Sequence, residues 1–254
     1  IGEDAFEYSA VEKINFSSAG NLLKIGEGAF SITPVKNLDI PEGVAEIGKD
    51  ALKTNNLEEV SLPSTLLVWG NEDAEFYRIF ANKTSTNGPT VLKSINIAAG
   101  NTMYKSVDGV VYSADGKTLV YCPTGKTGTL SIAQGTEAIG ESAFRWSRLS
   151  DVEFPASVTS IGEYAFYAAK ATSITIPGTV KRLDKQSFYY SALRDVVIEN
   201  GVEYIGEQAF ALSYINTAVI PASVTYIGRE AFDFENGYNK NCWLKIENDN
   251  ITLA

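Results

Sequence analysis

The hexapeptide IGEYAF at Ile161 to Phe166 is one of eight near-copies in this chain. IGEDAF stands at Ile1, IGEGAF at Ile25, IGESAF at Ile139 and IGEQAF at Ile205, with looser versions at Ile47 (IGKDAL), Leu183 (LDKQSF) and Ile227 (IGREAF). The last five copies begin at 139, 161, 183, 205 and 227, a fixed step of 22 residues. A period of that size marks a stacked repeat. Burying one unit's apolar side chains does not offset the entropy of ordering its backbone, so the units must pack on one another.

A second element follows each hexapeptide: a short alternating segment that often ends in proline. Examples are VEKINF (Val11 to Phe16), LEEVSLP (Leu57 to Pro63), LSDVEFP (Leu149 to Pro155), LRDVVI (Leu193 to Ile198) and WLKI (Trp243 to Ile246). Period-2 alternation is the pattern of a strand buried on one face. Ten such strands run in one direction with no long helix between them, so each pairs with its counterparts and the chain coils. Five of the eight prolines (Pro41, Pro63, Pro155, Pro177, Pro221) follow a strand, where a missing N–H ends the ladder. Within the hexapeptide, Ile, Ala and Phe are assigned to the core. The two residues after the glycine (Glu163 and Tyr164, Glu141 and Ser142, Glu207 and Gln208) are assigned to water, and Gly162 to a positive-φ bend. The hexapeptide is thus a core-filling corner and not a catalytic signature. The expected fold is an α/β-type, strand-rich repeat solenoid: a curved right-handed coil of about ten turns over residues 1–254, with a parallel β-ladder on the concave side and few or short helices.

Two steps between strands are 35 residues, Leu62 to Ile97 and Ile97 to Ile132, so two coils are oversized. The expanded coil at 64–90 is expected to hold a short helix and a polar loop, Asn82 to Pro89. The insertion at 104–123 is expected to be a β-hairpin around Asp115–Gly116. The chain opens inside a repeat, at Ile1, and reads as a solenoid incomplete at both ends, part of a longer protein.

Pro155 to Phe166 (PASVTSIGEYAF) and Pro221 to Phe232 (PASVTYIGREAF) follow the pattern P-x-S-V-T-x-I-G-x-x-A-F, which, with a small residue three positions on and then an L-x-x-V-x-I-P strand, resembles the BspA-like leucine-rich repeats, also called the Treponema pallidum type. The similarity extends over essentially the whole chain. The position three after the Phe, commonly Cys in that family, is Ser9, Thr33, Ser147, Ala169, Ser191 or Ser213 here, small residues that preserve the packing. The resemblance implies a bacterial extracellular or cell-surface protein with a binding or adhesive role, and it carries over no catalytic residues.

Composition narrows the chemistry. A net charge of −10 opposes general nucleic-acid binding and attachment to an anionic membrane, and no apolar run approaches the roughly 20 residues of a membrane span. Histidine is absent, which removes Ser-His-Asp and Cys-His catalysis and His-ligated metals. Cys122 and Cys242 lie about five coils apart, some 25 Å at ~4.8 Å per coil, so two free thiols are expected. The acidic loop Gly70 to Asp73 lacks the spaced ligands of a calcium loop. No cofactor is expected.

What remains is surface. Strand positions that alternate with the buried ones form a candidate partner-binding face, including Asp39, Glu59, Asp151, Glu153, Asp195 and Trp243, acidic in the middle and more apolar toward the C-terminal end. Asp151 and Glu153, roughly 6.5 Å apart on one strand, match the spacing of an inverting glycosidase pair but stand on an open face with no enclosed subsite. Aromatics just beyond the Ala-Phe pair (Trp146, Tyr167, Tyr189, with Tyr8 and Tyr190) fall on one lateral edge, where planar rings could stack on sugars. The leading expectation is a non-enzymatic, monomeric module that binds a host or matrix protein; a glycan-binding module and a passive stalk are the alternatives.

Overall fold

The computed structural model describes residues 1–16, 22–54, 56–69, 91–233, 243–248 and 251–253. The chain divides into two compact units, Ile1–Gly116 with Val120–Lys126, and Lys117–Leu119 with Thr127–Ala254. Both are built from parallel strands, and the described residues contain no helix. Of the expanded coil at 64–90, for which a short helix is expected, residues 64–69 are described and end in the strand Val68–Trp69; residues 70–90, with the loop Asn82 to Pro89 and the Gly70 to Asp73 loop, and Cys242 lie outside the described residues.

In the first unit, the long strands β2 (Asn37–Asp39), β4 (Glu59–Leu62) and β6 (Ser94–Ile97) pair in parallel, Leu38 opposite Val60 and Val60 opposite Ile95. Two-residue strands β1 (Lys24–Ile25), β3 (Glu46–Ile47) and β5 (Val68–Trp69) form a second parallel set. Between the sets lie Ile25, Phe30, Leu38, Ile47, Leu52 and Val60, all buried. After β6 come β7 (Tyr104–Val107) and β8 (Val110–Ser113), antiparallel, with Val107 opposite Val110. The turn between them, Asp108–Gly109, has positive φ at both residues (49° and 72°), the two-residue geometry whose twist suits a hairpin. The Asp115–Gly116 pair singled out in the sequence makes the next turn, ahead of β9 (Thr118–Tyr121). The hairpin also closes an edge: the Ile95 N–H donates to the Gly109 carbonyl (3.1 Å) and the Ile97 N–H to Ser106 Oγ (2.9 Å). Donors of β6 that would seek a following long strand are satisfied by the insertion instead.

In the second unit, β10 (Thr127–Ser131) pairs with β12 (Arg148–Glu153), the register shifting between Gly128 and Thr129. The strands β14 (Ser173–Ile176), β16 (Asp195–Ile198), β18 (Thr217–Ile220) and β20 (Trp243–Ile246) form a separate four-stranded ladder. The short strands β11 (Ala138–Ile139), β13 (Ser160–Ile161), β15 (Arg182–Leu183), β17 (Tyr204–Ile205), β19 (Tyr226–Ile227) and β21 (Thr252–Leu253) pair successively, and Thr118–Leu119 of β9 joins β11. The long strands number nine among the described residues, because Val11 to Phe16 adopts no strand, and they fall in three bonded sets in place of the one unbroken ladder expected.

The phenylalanines stack in a column. Ring centroids of Phe144, Phe166, Phe188, Phe210 and Phe232 are 4.6, 4.9, 5.0 and 5.2 Å apart in turn, within 14° of parallel. These separations follow the strand spacing of about 4.8 Å. Identical side chains in identical environments one coil apart have no other place to go.

The corner itself differs from the expectation. The left-handed residue is not the glycine of Ile-Gly but the one two positions later: Asp4, Gly28, Asp50, Ser142, Tyr164, Gln186, Gln208 and Glu230 all have φ between 50° and 61°. A second left-handed residue follows four positions on, as at Trp146, Ala168, Tyr190 and Leu212. This alternation aims every other N–H along the stacking axis. The N–H groups of Ser142, Phe144 and Trp146 donate to the carbonyls of Glu163, Ala165 and Tyr167 in the next coil (3.0, 2.7 and 2.8 Å), while those of Ala143, Arg145 and Ser147 close local turns. Each left-handed non-glycine residue costs about 1–2 kcal/mol, and the coil-to-coil hydrogen bonds offset it. The motif glycine serves clearance: a Cβ on Gly48 would lie 2.5 Å from the Glu27 nitrogen, and one on Gly162 2.9 Å from the Ile139 oxygen. Ser142, assigned to water from the sequence, is buried, because its left-handed turn folds the side chain against the corner.

Candidate functional site

The second unit carries most of the surface the sequence nominated. Along β14, β16 and β18 the burial alternates exposed, buried, exposed, buried, so one set of side chains faces solvent in two rows. Registry places Ser173 beside Asp195, Asp195 beside Thr217 and Thr217 beside Trp243 in the first row. In the second, Thr175 neighbours Val197, and Val219 neighbours Lys245. Trp243 is 67% exposed, Val197 55% and Val219 45%, so the C-terminal part of this face is an apolar strip with one large ring standing out of it. On β12, Asp151 is half-buried and Glu153 exposed. Asp151 Oδ1 accepts from the Val152 N–H (2.8 Å), and Glu153 accepts the Ser131 hydroxyl of the neighbouring strand. Among the described residues, Asp151, Glu153 and Asp195 take part in no ion pair, so their charge is available to a partner.

In the first unit, Asp39 and Glu59 stand exposed on adjacent strands, where Asn37 is registered with Glu59 and Asp39 with Ser61. Neither is in an ion pair among the described residues; the neighbouring Glu58 is, with Lys93 at 2.8 Å. That hydrogen bond and the Lys93 charge hold the Glu58 carboxyl below its ordinary range.

Three of the lateral aromatics, Trp146, Tyr167 and Tyr189, are brought together, and both faces of Tyr167 are already used. Tyr167 stacks on Tyr189 at 5.6 Å, and the Arg145 guanidinium lies 4.0 Å over the Tyr167 ring. Arg145 comes from the coil before and Tyr189 from the coil after, so both faces of Tyr167 are covered. Arg145 also lies 4.7 Å from the Trp146 ring and 5.6 Å from that of Tyr164, and Trp146 meets Tyr167 edge-on at 6.4 Å. This is cation–π packing between coils, and it leaves a sugar no open face on Tyr167. Burial raises the phenol pKa values of Tyr164 and Tyr189, keeping both neutral. A second such column went unnoticed in the sequence: Arg182 lies 4.0 Å over Tyr204, which stacks on Tyr226 at 4.6 Å. The position before each Ile-Gly, read at the 22-residue step, would have revealed it.

Of the two cysteines, Cys122 is a free, fully buried thiol whose pKa burial pushes up to about 12, an inert core residue. Among the described residues no group of three or more His, Cys, Asp or Glu gathers in a way that could hold a metal ion, and no helix is long and apolar enough to cross a membrane.

These features agree with the comparisons. The model of the BspA type leucine rich repeat region matches residues 1–99 and 120–239, in six copies. Among solved structures, the pneumococcal vaccine antigen PcpA aligns with a TM-score of 0.65 at 20% identity, covering 94% of this chain and 65% of that one. A leucine-rich repeat protein from Eubacterium ventriosum aligns at 0.64 and 17%, covering 95% and 62%. A leucine rich cell surface protein from Faecalibacterium prausnitzii aligns at 0.51 and 18%, covering 87% and 62%. The chain thus spans less than two thirds of the length of these solved chains, and at such identities the likeness concerns the fold. No curated protein matches the sequence significantly. Six matched repeats over most of the chain, folded as stacked parallel coils, place it in a family: the chain belongs to the BspA-type leucine-rich repeat proteins.

Proposed function

We propose that this chain is a non-catalytic adhesion module displayed at a bacterial surface, and that the solvent-facing rows of the second unit hold a protein partner. The observation that carries the reading is the exposure of Trp243 in one row, with Val197 and Val219 exposed in the adjoining row and the Asp195 carboxylate, in no ion pair among the described residues, in Trp243's own row. Exposed apolar side chains grouped on one face mark contact surfaces, and tryptophan is among the residues that most often anchor them. The acidic positions Asp151, Glu153 and Asp195 suit a partner segment carrying Lys or Arg beside aliphatic residues, giving orientation and a faster encounter. The cell-surface description of one structural neighbour and the general use of such repeats in binding support the placement.

The test is adhesion of the purified protein to immobilised extracellular-matrix proteins, with Trp243→Ala and Asp195→Asn measured beside the parent. Trp243→Ala should weaken a captured ligand at least about tenfold, and Asp195→Asn should slow association and flatten its salt dependence. Equal binding by parent and Trp243→Ala to every captured protein would remove the ladder from consideration and favour a passive stalk.

A further inference from the structure

We infer that the first unit carries a separate binding groove for a saccharide bearing a carboxylate, formed by the ammonium groups of Lys13 and Lys36 and the amides of Asn15 and Asn37. The groove has a volume of about 640 Å³, within the roughly 300–1,000 Å³ of small-ligand clefts. Asn56 adds a third amide, Pro34 and Ile14 supply an apolar wall, and Glu12 a carboxylate.

The groove's two ammonium groups close no ion pair among the described residues, although the Lys36 charge is felt at Glu58. Elsewhere on the coils Lys53 and Lys245 pair within their own coil, and several lysines close ion pairs one coil away, as Lys24 with Glu46, Lys117 with Glu137 (2.9 Å) and Lys181 with Glu203 (3.4 Å). Lys36 does not, although the Glu58 N–H bonds its carbonyl, because the Glu58 carboxylate is taken by Lys93 on the far side. Among the described residues neither Lys13 nor Lys36 has a carboxylate within ion-pair distance, and the side-chain amides of Asn15 and Asn37 make no hydrogen bond. Four exposed polar groups therefore line one concavity with no ion pair or side-chain hydrogen bond of their own among the described residues, in a chain whose net charge is −10.

The chemistry of that set is specific. Among the described lining residues two cations stand against one carboxylate, Glu12, with Glu59 in register beside Asn37, and the two ammonium groups offer the contact for an anion. Primary amides, each able to donate and accept at once, match adjacent hydroxyl groups on a ring. The Pro34 and Ile14 wall suits the C–H face of a pyranose. A hexuronate and a sialic-type sugar share this chemistry, and the carboxylate would sit at the lysines with the hydroxyls at the asparagines. Glu12 would accept a further hydroxyl. This groove is independent of the ladder on the second unit.

Calorimetric titration of the intact chain with a hyaluronan tetrasaccharide, with sialyllactose and with neutral lactose tests it. One acidic probe should bind at least about tenfold more tightly than lactose, the expected worth of one charge-assisted contact. Binding by hyaluronan alone assigns a hexuronate, binding by sialyllactose alone a sialic-type acid, and either supports the groove. Lys36→Gln and Asn37→Ala should each weaken that probe about tenfold, while Lys170→Gln, at an exposed position in the second unit, leaves it unchanged. Urea midpoints equal to the parent's establish that the variants are folded. No binding of either acidic probe, equal binding of lactose, or undiminished binding by Lys36→Gln and Asn37→Ala overturns the proposal.

Discussion

Replacing the motif glycine by alanine at two equivalent corners separates a conformational role from a steric one. Gly206 and Gly2 occupy the same place in the hexapeptide, and neither has positive φ. An alanine Cβ at 206 would lie 2.7 Å from the Asp184 carbonyl carbon, 2.8 Å from the Lys185 nitrogen and 2.9 Å from the Leu183 oxygen, all backbone atoms of the preceding coil. At Gly2 nothing stands within 4 Å. To accept the Gly206→Ala methyl, the two coils must part by several tenths of an ångström. Overpacking of this kind costs about 1–3 kcal/mol, and lengthening the Gly206 N–H to Leu183 carbonyl bond, now 2.8 Å, costs up to about 1 more. Both substitutions stiffen the unfolded chain equally, by about 0.4–1 kcal/mol, so that contribution cancels in the difference. Gly206→Ala should therefore be less stable than Gly2→Ala by about 1–4 kcal/mol. With a urea dependence of about 2 kcal/mol/M, the midpoints followed by far-ultraviolet circular dichroism should differ by about 0.5–2 M. Matching midpoints, or greater damage at Gly2, would refute the claim that these glycines are required for coil-to-coil clearance.

Phe188→Ala removes a fully buried ring stacked on both sides, at 4.9 and 5.0 Å, and should cost about 3–5 kcal/mol for the cavity with more for the lost stacking. Phe6→Ala removes a partly exposed ring with one stacked neighbour, Phe30 at 5.4 Å, and should cost less than half as much in the same denaturation assay. The Cys122 thiol, raised from 9.0 to about 12 by burial, should resist iodoacetamide in the native protein at pH 8 and react once the chain is unfolded in urea, as read by mass spectrometry. Because its folded pKa lies above the unfolded value, its contribution to stability is complete below about pH 9 and is lost as pH rises toward 12, and the urea midpoint should fall across that window. Buried Tyr121, whose pKa burial also raises, acts in the same direction.

The 22-residue step was enough to name coil-to-coil neighbours, since residues one period apart in a stacked repeat must lie one above another. Phe144, Phe166, Phe188 and Phe210 form the column that step requires, and Asp195, Thr217 and Trp243 share a row for the same reason. Period-2 alternation likewise told which strand residues face water. What repetition does not encode is how each group spends its bonding capacity. The left-handed positions fell on Tyr164 and Gln208, and not on the motif glycines, because the direction of each N–H depends on where the next coil's carbonyls stand. The strand ladder stopped at β6 because the hairpin took its donors. Arg145 and Tyr189 occupy the faces of Tyr167 that composition alone left open, whereas Lys13 and Lys36 close no ion pair, and Asn15 and Asn37 no side-chain hydrogen bond, among the described residues. Sequence specified adjacency, which a period conveys along one dimension; only the packed chain decided which adjacent groups satisfy one another and which remain for a ligand, because that competition is settled by distances in space.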